Sequence, residues 1–405
     1  MPVNLDICEQ FYPVNGIEIA VANAGIKQTQ RPDIVIFELP KDATCAGIFT
    51  RNAFCAAPVT ICKEHMQHVA PRYLLINTGN ANAGTGKQGY SNAKELCQLI
   101  AQDRGVSTEQ VLPFSTGVIG EPLPMDKIRT CFAELPDFKS NNWFAASKGI
   151  MTTDIQPKGY SRQFDYQGTT FTISGISKGS GMIKPNMATM LGFIATDAKV
   201  SAPVLQELCS ELGEKSFNRI TVDGDTSTND ACMLMASGAV DYPELNSQES
   251  ELYEVLKHEL KLAFDYLAQA IVRDGEGATK FVSIEVNQCQ NSKEALDVAY
   301  TVAHSPLVKT ALFASDANWG RILAAVGRSG VDNMDLNAIE ICLDDVCIVK
   351  DGGRAASYTE EAGSAVMAQD EITIRINMGR GEARETVWTT DLSHGYVTIN
   401  AEYRS

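Results

Sequence analysis

Short apolar segments of strand length alternate with longer amphipathic segments along both halves of this chain. Segment 34–39 is an apolar run bounded by turn residues, which is typical of a buried strand. Segments 91–103, 202–215 and 249–272 instead repeat apolar residues at intervals of three and four, with Ser91 as the expected N-cap of the first. Strands and helices mixed in this way predict an α/β fold in which sheets are layered with helices.

Further strands are predicted where apolar runs or alternating patterns recur, at 73–77, 171–176, 281–286, 338–348 and 371–378. No tandem repeat or low-complexity linker divides the chain. The periodicity therefore indicates packed α/β layers without marking a domain boundary.

The charge and cysteine patterns exclude several classes of protein. The net charge of −16 opposes binding to a phosphate backbone, so we expect no nucleic-acid partner. The 11 cysteines are odd in number and lack a CxxC pair, which argues against a disulfide framework or a zinc site. The first residues lack a signal-peptide pattern, and no run approaches the roughly 20 apolar residues of a membrane span. We expect a cytoplasmic protein with reduced thiols and no membrane partner.

Three local motifs have weak functional interpretations. Segment 84–89 spells GxGxxG, but it lacks an acidic ribose ligand at the expected distance, and Gln88 breaks the related P-loop pattern. Segment 175–179 spells GxSxG, which would make Ser177 a nucleophile, yet no clean helix follows it and a tight glycine loop is favoured. Segment 223–230 is acidic but lacks the register of a calcium loop, so a hydrogen-bonded turn is favoured over a cation site.

Segment 178–191 contains a candidate self-cleavage site. Thr189 follows the small residue Ala188 after an approach rich in glycine and proline. A strained Ala188–Thr189 bond would allow an N-to-O acyl shift, and hydrolysis would then release Thr189 as a new N-terminus. Its α-amine, with a pKa of about 7.7–8.0, would serve as the base for its own hydroxyl. The residues alone leave open the alternative that Ala188–Thr189 is an ordinary strand edge.

Seven segments in order carry a family resemblance that covers essentially the whole chain. They are 77–83, 113–120, 151–154, 178–191, 221–230, 274–280 and 391–405. Together they resemble the ArgJ family of bifunctional glutamate N-acetyltransferases/ornithine acetyltransferases of arginine biosynthesis. The resemblance implies the ornithine-acetyltransferase type of layered α/β fold, which self-cleaving DmpA aminopeptidases share.

The resemblance also implies a processing event and a reaction. Cleavage between Ala188 and Thr189 would give an α chain of residues 1–188 and a β chain of residues 189–405, assembled as an α2β2 heterotetramer. Thr189 would take the acetyl group from N2-acetylornithine, release ornithine and pass the acetyl group to L-glutamate. No metal or resident cofactor is implied, and acetyl-CoA is an additional donor in many members, so its use here stays open.

Site residues follow from the same resemblance. Thr116 and Gly117 match the oxyanion hole, in which a hydroxyl and a backbone N–H stabilise a tetrahedral intermediate. The implied substrate-binding residues are Thr152 (favoured over Thr153), Lys178, Thr189, Glu276, Asn400 and Ser405. Ser405 stands where other members end in threonine, and Asn400 requires the C-terminal region to fold back over the pocket. The alternatives are a self-processing aminopeptidase or amidohydrolase that uses the same threonine, and a non-catalytic binding protein.

Overall fold

The computed structural model describes residues 1–27, 31–184 and 190–402, and three β-sheets organise them. The first sheet has the order β1-β2-β4-β5, and its strands are β1 (Glu18–Ala22), β2 (Ile34–Glu38), β4 (Tyr73–Asn80) and β5 (Val111–Val118). The second has the order β3-β9-β8-β7-β6, and its strands are β3 (Thr44–Phe49), β6 (Lys158–Tyr166), β7 (Thr169–Lys178), β8 (Leu191–Thr196) and β9 (Ala231–Ala236). Within them β4 pairs with β5, and β8 with β9, in parallel.

The third sheet is built from the last third of the chain. Its order is β13-β12-β11-β14-β10-β15, and its strands are β10 (Phe281–Cys289), β11 (Glu340–Leu343), β12 (Val346–Lys350), β13 (Gly353–Arg354), β14 (Glu371–Asn377) and β15 (Ala383–Thr390). Next to the edge strand β15, β10 pairs in parallel with β14 and antiparallel with β15. The apolar residues of this third sheet form a separate core with the neighbouring helices.

Helices connect and cover these sheets. They are α1 (Ala57–His65), α2 (Gly86–Arg104), α3 (Met125–Phe132), α4 (Trp143–Gly149), α5 (Ala202–Lys215), α6 (Glu251–Arg273), α7 (Ser292–Ala303), α8 (Pro306–Phe313), α9 (Trp319–Gly327), α10 (Glu360–Met367) and α11 (His394–Ala401). No helix in the described ranges combines the length and hydropathy that a membrane span requires.

The first two sheets pack face to face and are covered by helices on their outer faces. Phe37 and Phe114 of the first sheet contact Phe193 of the second, with ring centroids 5.5 and 5.1 Å apart. On the outer face of the first sheet, Ile36 packs in one cluster with α2, and on that of the second, Ile194 packs with α5 and α6. Strands buried on both faces have to be apolar at successive positions, which explains the continuous apolar runs in the sequence. The predicted layered α/β fold is confirmed.

Two predicted elements were wrong in detail. The helix predicted to start after Ser91 begins at Gly86, so Ser91 lies inside it. The prediction started too late because the first turn is polar and shows no apolar period. The single strand predicted at 338–348 is a hairpin of β11 and β12. Asp344 adopts a positive φ of 47° in its tight turn, which is a conformation that Asp accepts more readily than most residues.

Candidate active site

One cavity of about 280 Å³ collects every predicted site residue that the structure describes. These residues are Thr116, Gly117, Thr152, Lys178, Glu276 and Asn400. Met190, the first described residue after segment 185–189, also lines it. The remaining predicted residues, Ala188, Thr189 and Ser405, lie outside the described residues. Thr153 lines the cavity beside Thr152, so the choice between the two threonines stays open.

Gly117 lies near the end of β5, where its backbone packs tightly against β4. Its φ of +135° is a conformation that L side chains rarely adopt. A Cβ atom at this position would lie 2.3 Å from the carbonyl carbon of Gly79 and 2.5 Å from the backbone nitrogen of Asn80. Glycine is therefore required here, and it brings the end of β5 to the cavity wall.

Thr116 and Lys178 meet inside the cavity wall. The Lys178 ammonium donates a hydrogen bond of 3.2 Å to the Thr116 hydroxyl, and both side chains are buried. Burial lowers the pKa of Lys178, and Asp154 opposes that shift. In the sheet Lys178 stands opposite Leu191, so the chain leaves β7 and re-enters at β8 beside the same cavity.

Glu276 provides a buried carboxylate on another wall. Its Oε2 accepts a hydrogen bond of 2.8 Å from the Asn400 amide. Asn400 is carried by α11, which packs directly against the backbone of Gly277. This contact requires glycine, because a Cβ at Gly277 would lie 2.3 Å from the backbone nitrogen of Tyr396. The C-terminal region thus folds back over the pocket as far as Asn400.

The acidic segment 223–230 and its neighbours anchor the chain before segment 185–189. The Asp223 carboxylate accepts hydrogen bonds from the N–H groups of Met182 at 2.6 Å and Ile183 at 2.9 Å. Thr221 donates its hydroxyl to the Ile183 carbonyl at 2.9 Å. The hydroxyl of Thr226 donates to the Lys184 carbonyl at 3.0 Å.

The residue that directly follows segment 223–230 also fixes the chain on the other side of 185–189. The Ala231 N–H donates to the Met190 carbonyl at 3.0 Å. The segment therefore serves as a hydrogen-bonded support, as its sequence favoured. Residues 1–27, 31–184 and 190–402 hold no cluster of three metal-binding side chains.

The other weak motifs have structural roles. Ser177 is buried within β7 and donates its hydroxyl to the Leu267 carbonyl at 3.1 Å, which excludes it as an exposed nucleophile. Three residues separate the GxGxxG segment from the end of β4, and its last four residues form the first turn of α2. The Asn82 amide, in the loop before the segment, donates to the Gly89 carbonyl at 2.8 Å and ties the loop to this turn.

Residue-level reasoning missed several polar groups at or near the cavity. Asp230 and Asn229 line it, and the Asn229 amide donates to the carbonyls of Ala81 and Ser115, thereby joining the loop after β4 to β5. Both residues belong to a segment used for the family resemblance, which was the signal that could have singled them out. Lys158 carried no such signal, because a lysine in an alternating strand is expected to face solvent.

The fold and the cavity together define a class of protein. A layered α/β body that gathers a threonine hydroxyl, a buried ammonium group and a buried carboxylate around one small cavity is an enzyme that handles a small polar substrate. Comparisons with known proteins then place the chain more narrowly.

The ArgJ family model matches residues 18–405. The chain is 60% identical over 406 residues to the arginine biosynthesis bifunctional protein ArgJ of Pseudomonas fluorescens, with all of both chains covered. It is 53% identical over 403 residues to the protein of the same name from Psychrobacter arcticus, with 99% of each chain covered. The crystal structure of arginine biosynthesis bifunctional protein argJ from Bacillus halodurans is 40% identical, with a TM-score of 0.51, and the match covers 53% of this chain and 100% of that chain. The chain belongs to the ArgJ family.

Proposed function

We propose that this chain transfers an acetyl group from N2-acetylornithine to L-glutamate through an acetyl ester on Thr189. Membership of the ArgJ family makes the chain an enzyme of arginine biosynthesis, since its curated relatives carry that name. The observation that carries the proposal is the convergence of Thr116, Gly117, Lys178 and Glu276 on one cavity that Met190 also lines. Thr189 directly precedes Met190 in the sequence.

The proposed reaction starts with self-cleavage between Ala188 and Thr189, which gives chains of residues 1–188 and 189–405. Support comes from the second sheet, where β8 and β9 lie between β3 and β7. The strands of the proposed β chain would therefore have a strand of the α chain on each side, so that cleavage leaves the sheet intact. Cleavage would also free the α-amine of Thr189, whose pKa of about 7.7–8.0 suits a general base near neutral pH.

Each half of the cycle is an acyl transfer. The Thr189 oxygen attacks the acetyl carbonyl of N2-acetylornithine, the amine takes the proton and returns it to the departing ornithine nitrogen, and the ester forms. The amino group of L-glutamate then attacks the ester carbonyl, the ester C–O bond breaks, and the α-amine of Thr189 passes the proton from the attacking nitrogen to the Thr189 oxygen, which releases acetylglutamate and restores the free hydroxyl. In both steps the tetrahedral oxyanion would be stabilised by the Thr116 hydroxyl and the Gly117 N–H, each such donor typically contributing about 10²–10³-fold in rate.

Charge complementarity supports the substrate class. N2-acetylornithine carries a carboxylate and an ammonium group, and the cavity offers the buried Lys178 ammonium and Glu276 carboxylate. We assign further substrate contacts to Thr152, Asn400 and Ser405. The acetyl carrier is the chain's own threonine, so the proposed reaction uses no metal or resident cofactor. Acetyl-CoA would enter only as a second acetyl donor.

We further propose that the two chains assemble as an α2β2 heterotetramer in the cytoplasm. Size-exclusion chromatography with light scattering on the processed protein tests the assembly. A mass of one αβ pair would refute the heterotetramer and leave the reaction assignment untouched.

The reaction is tested by product analysis. Purified protein should show two fragments on a denaturing gel and should form acetylglutamate from N2-acetylornithine and glutamate. Thr189→Ala should abolish both cleavage and transfer, whereas Thr189→Ser retains the hydroxyl and serves as the matched control. Release of free acetate without acetylglutamate would instead establish the hydrolase alternative, and an intact band without activity would indicate a binding protein.

A further inference from the structure

A buried network of three charged side chains lies directly behind the cavity wall. The Lys158 Nζ contacts Asp154 Oδ1 at 2.6 Å and Asp274 Oδ2 at 2.5 Å, and all three side chains are fully buried. Replacing such a network by apolar residues is often neutral or stabilising in other proteins. A contribution to stability is therefore a weak explanation for this network. Its contacts with the backbone around the cavity indicate another role.

Asp154 connects the network to one side of the cavity. Its Oδ2 accepts a hydrogen bond of 2.8 Å from the Thr152 N–H, and its Oδ1 accepts one of 2.8 Å from the N–H of Gly179. Gly179 follows Lys178 directly. Asp154 thus fixes the backbone at two cavity-lining positions, Thr152 and the end of β7.

Asp274 connects the network to the opposite side. Its carbonyl accepts the Ser180 hydroxyl at 2.8 Å, and the Ser180 carbonyl accepts the Glu276 N–H at 2.9 Å. Its carboxylate also receives the N–H groups of Ile155 and Gln156 at 3.0 and 3.2 Å. The backbone that carries Glu276 is therefore tied to the backbone that follows Lys178.

We propose that the Asp154–Lys158–Asp274 network positions the substrate-binding side chains, holding Thr152 and Lys178 in register with Glu276 across the cavity. The inference rests on the proposed function, in which these three residues bind the substrate. Asp154 and Lys158 belong to the proposed chain 1–188 and Asp274 to chain 189–405. After cleavage, the network joins the two chains at the site itself.

Asp154 also supports the positive charge of Lys178. The charged groups that act most strongly on Lys178 are Asp154, Lys158, Asp230 and Glu276, and Lys27 also interacts with it. Burial lowers the pKa of Lys178, and among the attractive charges Asp154 opposes this shift most strongly. Removing the Asp154 charge lowers that pKa further, so Lys178 loses its proton at a lower pH. The Asp274 carboxylate contacts Lys158 and not Lys178, and it is not among the charges that act most strongly on Lys178.

Two isosteric variants, Asp154→Asn and Asp274→Asn, test the network. Both should raise KM for N2-acetylornithine by about tenfold or more, the usual effect of losing one hydrogen bond to a charged group, with a much smaller change in kcat. Asp154→Asn should in addition move the alkaline limb of the kcat/KM profile to lower pH, and Asp274→Asn should leave it in place. A merely structural role would not separate the two variants in this way.

A matched control removes a buried ion pair elsewhere. Glu294→Gln breaks the 3.1 Å pair with Arg380, which does not line the cavity, and should lower stability without changing KM. The cleaved fraction is measured first on a denaturing gel, and each rate is divided by the concentration of cleaved protein. Wild-type KM in a folded Asp154→Asn or Asp274→Asn protein overturns the network, and Asp274→Asn decides alone if Asp154→Asn does not fold. An inactive wild-type protein overturns the proposed function instead.

Discussion

Replacing Gly117 by alanine should damage the site more than the fold. The new Cβ would meet the Gly79 carbonyl carbon at 2.3 Å, whereas non-bonded carbons prefer about 3.5–4.0 Å, so β4 and β5 have to separate by more than an ångström. Such overpacking costs about 1–3 kcal/mol. The glycine-type φ of +135° adds a further penalty of about 1–3 kcal/mol. We expect a total loss of roughly 2–6 kcal/mol, against a stability of about 5–15 kcal/mol for typical proteins.

The activity loss should be larger than the stability loss implies. A shift of about 1 Å in a catalytic group can cost about 10²-fold in rate, and Thr116 and the Gly117 N–H would move together. Urea unfolding gives the stability, and the rate of acetylglutamate formation gives kcat, each measured on the cleaved protein.

Gly120→Ala is the matched control. Gly120 also has a positive φ, of 86°, but a Cβ there meets nothing within 4 Å. This variant should lose only about 1–2 kcal/mol and keep wild-type kcat. If Gly117→Ala has the same stability in urea and the same kcat as Gly120→Ala, the steric argument for the end of β5 is wrong.

Three further changes have expected results. Thr116→Ala should leave cleavage in place but slow kcat by about 10²–10³-fold, the loss of one oxyanion donor, and wild-type kinetics would remove Thr116 from that role. Glu276→Gln should raise KM for N2-acetylornithine by about tenfold, because a charged hydrogen-bond partner of the ammonium group is lost, and an unchanged KM would contradict this assignment. Burial lowers the pKa of His304 from 6.5 to about 4. Between these pH values His304 is therefore protonated in the unfolded chain and neutral in the folded chain. Stability should therefore fall by up to about 1.4 kcal/mol per pH unit as pH drops from 6.5 towards 4, and urea unfolding of His304→Gln should lack that part of the slope.

The layered fold was predictable because local periodicity encodes it. Segment 202–215 coincides with α5, and the run at 34–39 contains β2 and ends one residue after it. The hairpin at 338–348 was missed because its turn is only two residues long and is formed by Asp344-Asp345, which lacks the glycine of the usual Asn-Gly or Asp-Gly hairpin signal. The start of α2 was missed because an exposed first turn shows no apolar period. Such errors concern boundaries, where short polar stretches leave little periodic signal.

The cavity was predictable only through the family resemblance. Lys178 and Glu276 stand far apart in the sequence, and nothing in either neighbourhood shows that they face one cavity. Lys158 was missed altogether, because its burial depends not only on the nearby Asp154 but also on Asp274, which lies 116 residues later at the end of α6. Contacts of this kind arise from tertiary packing, which local patterns do not encode.

The position of the acetyl group on the chain tests the account most directly. Protein incubated with N2-acetylornithine in the absence of glutamate should gain the mass of one acetyl group on the 189–405 fragment, and peptide fragmentation should place it on Thr189. Addition of glutamate should remove the group as acetylglutamate appears. Continued turnover with an unmodified Thr189, or an acetyl group carried by another residue, would contradict the central claim.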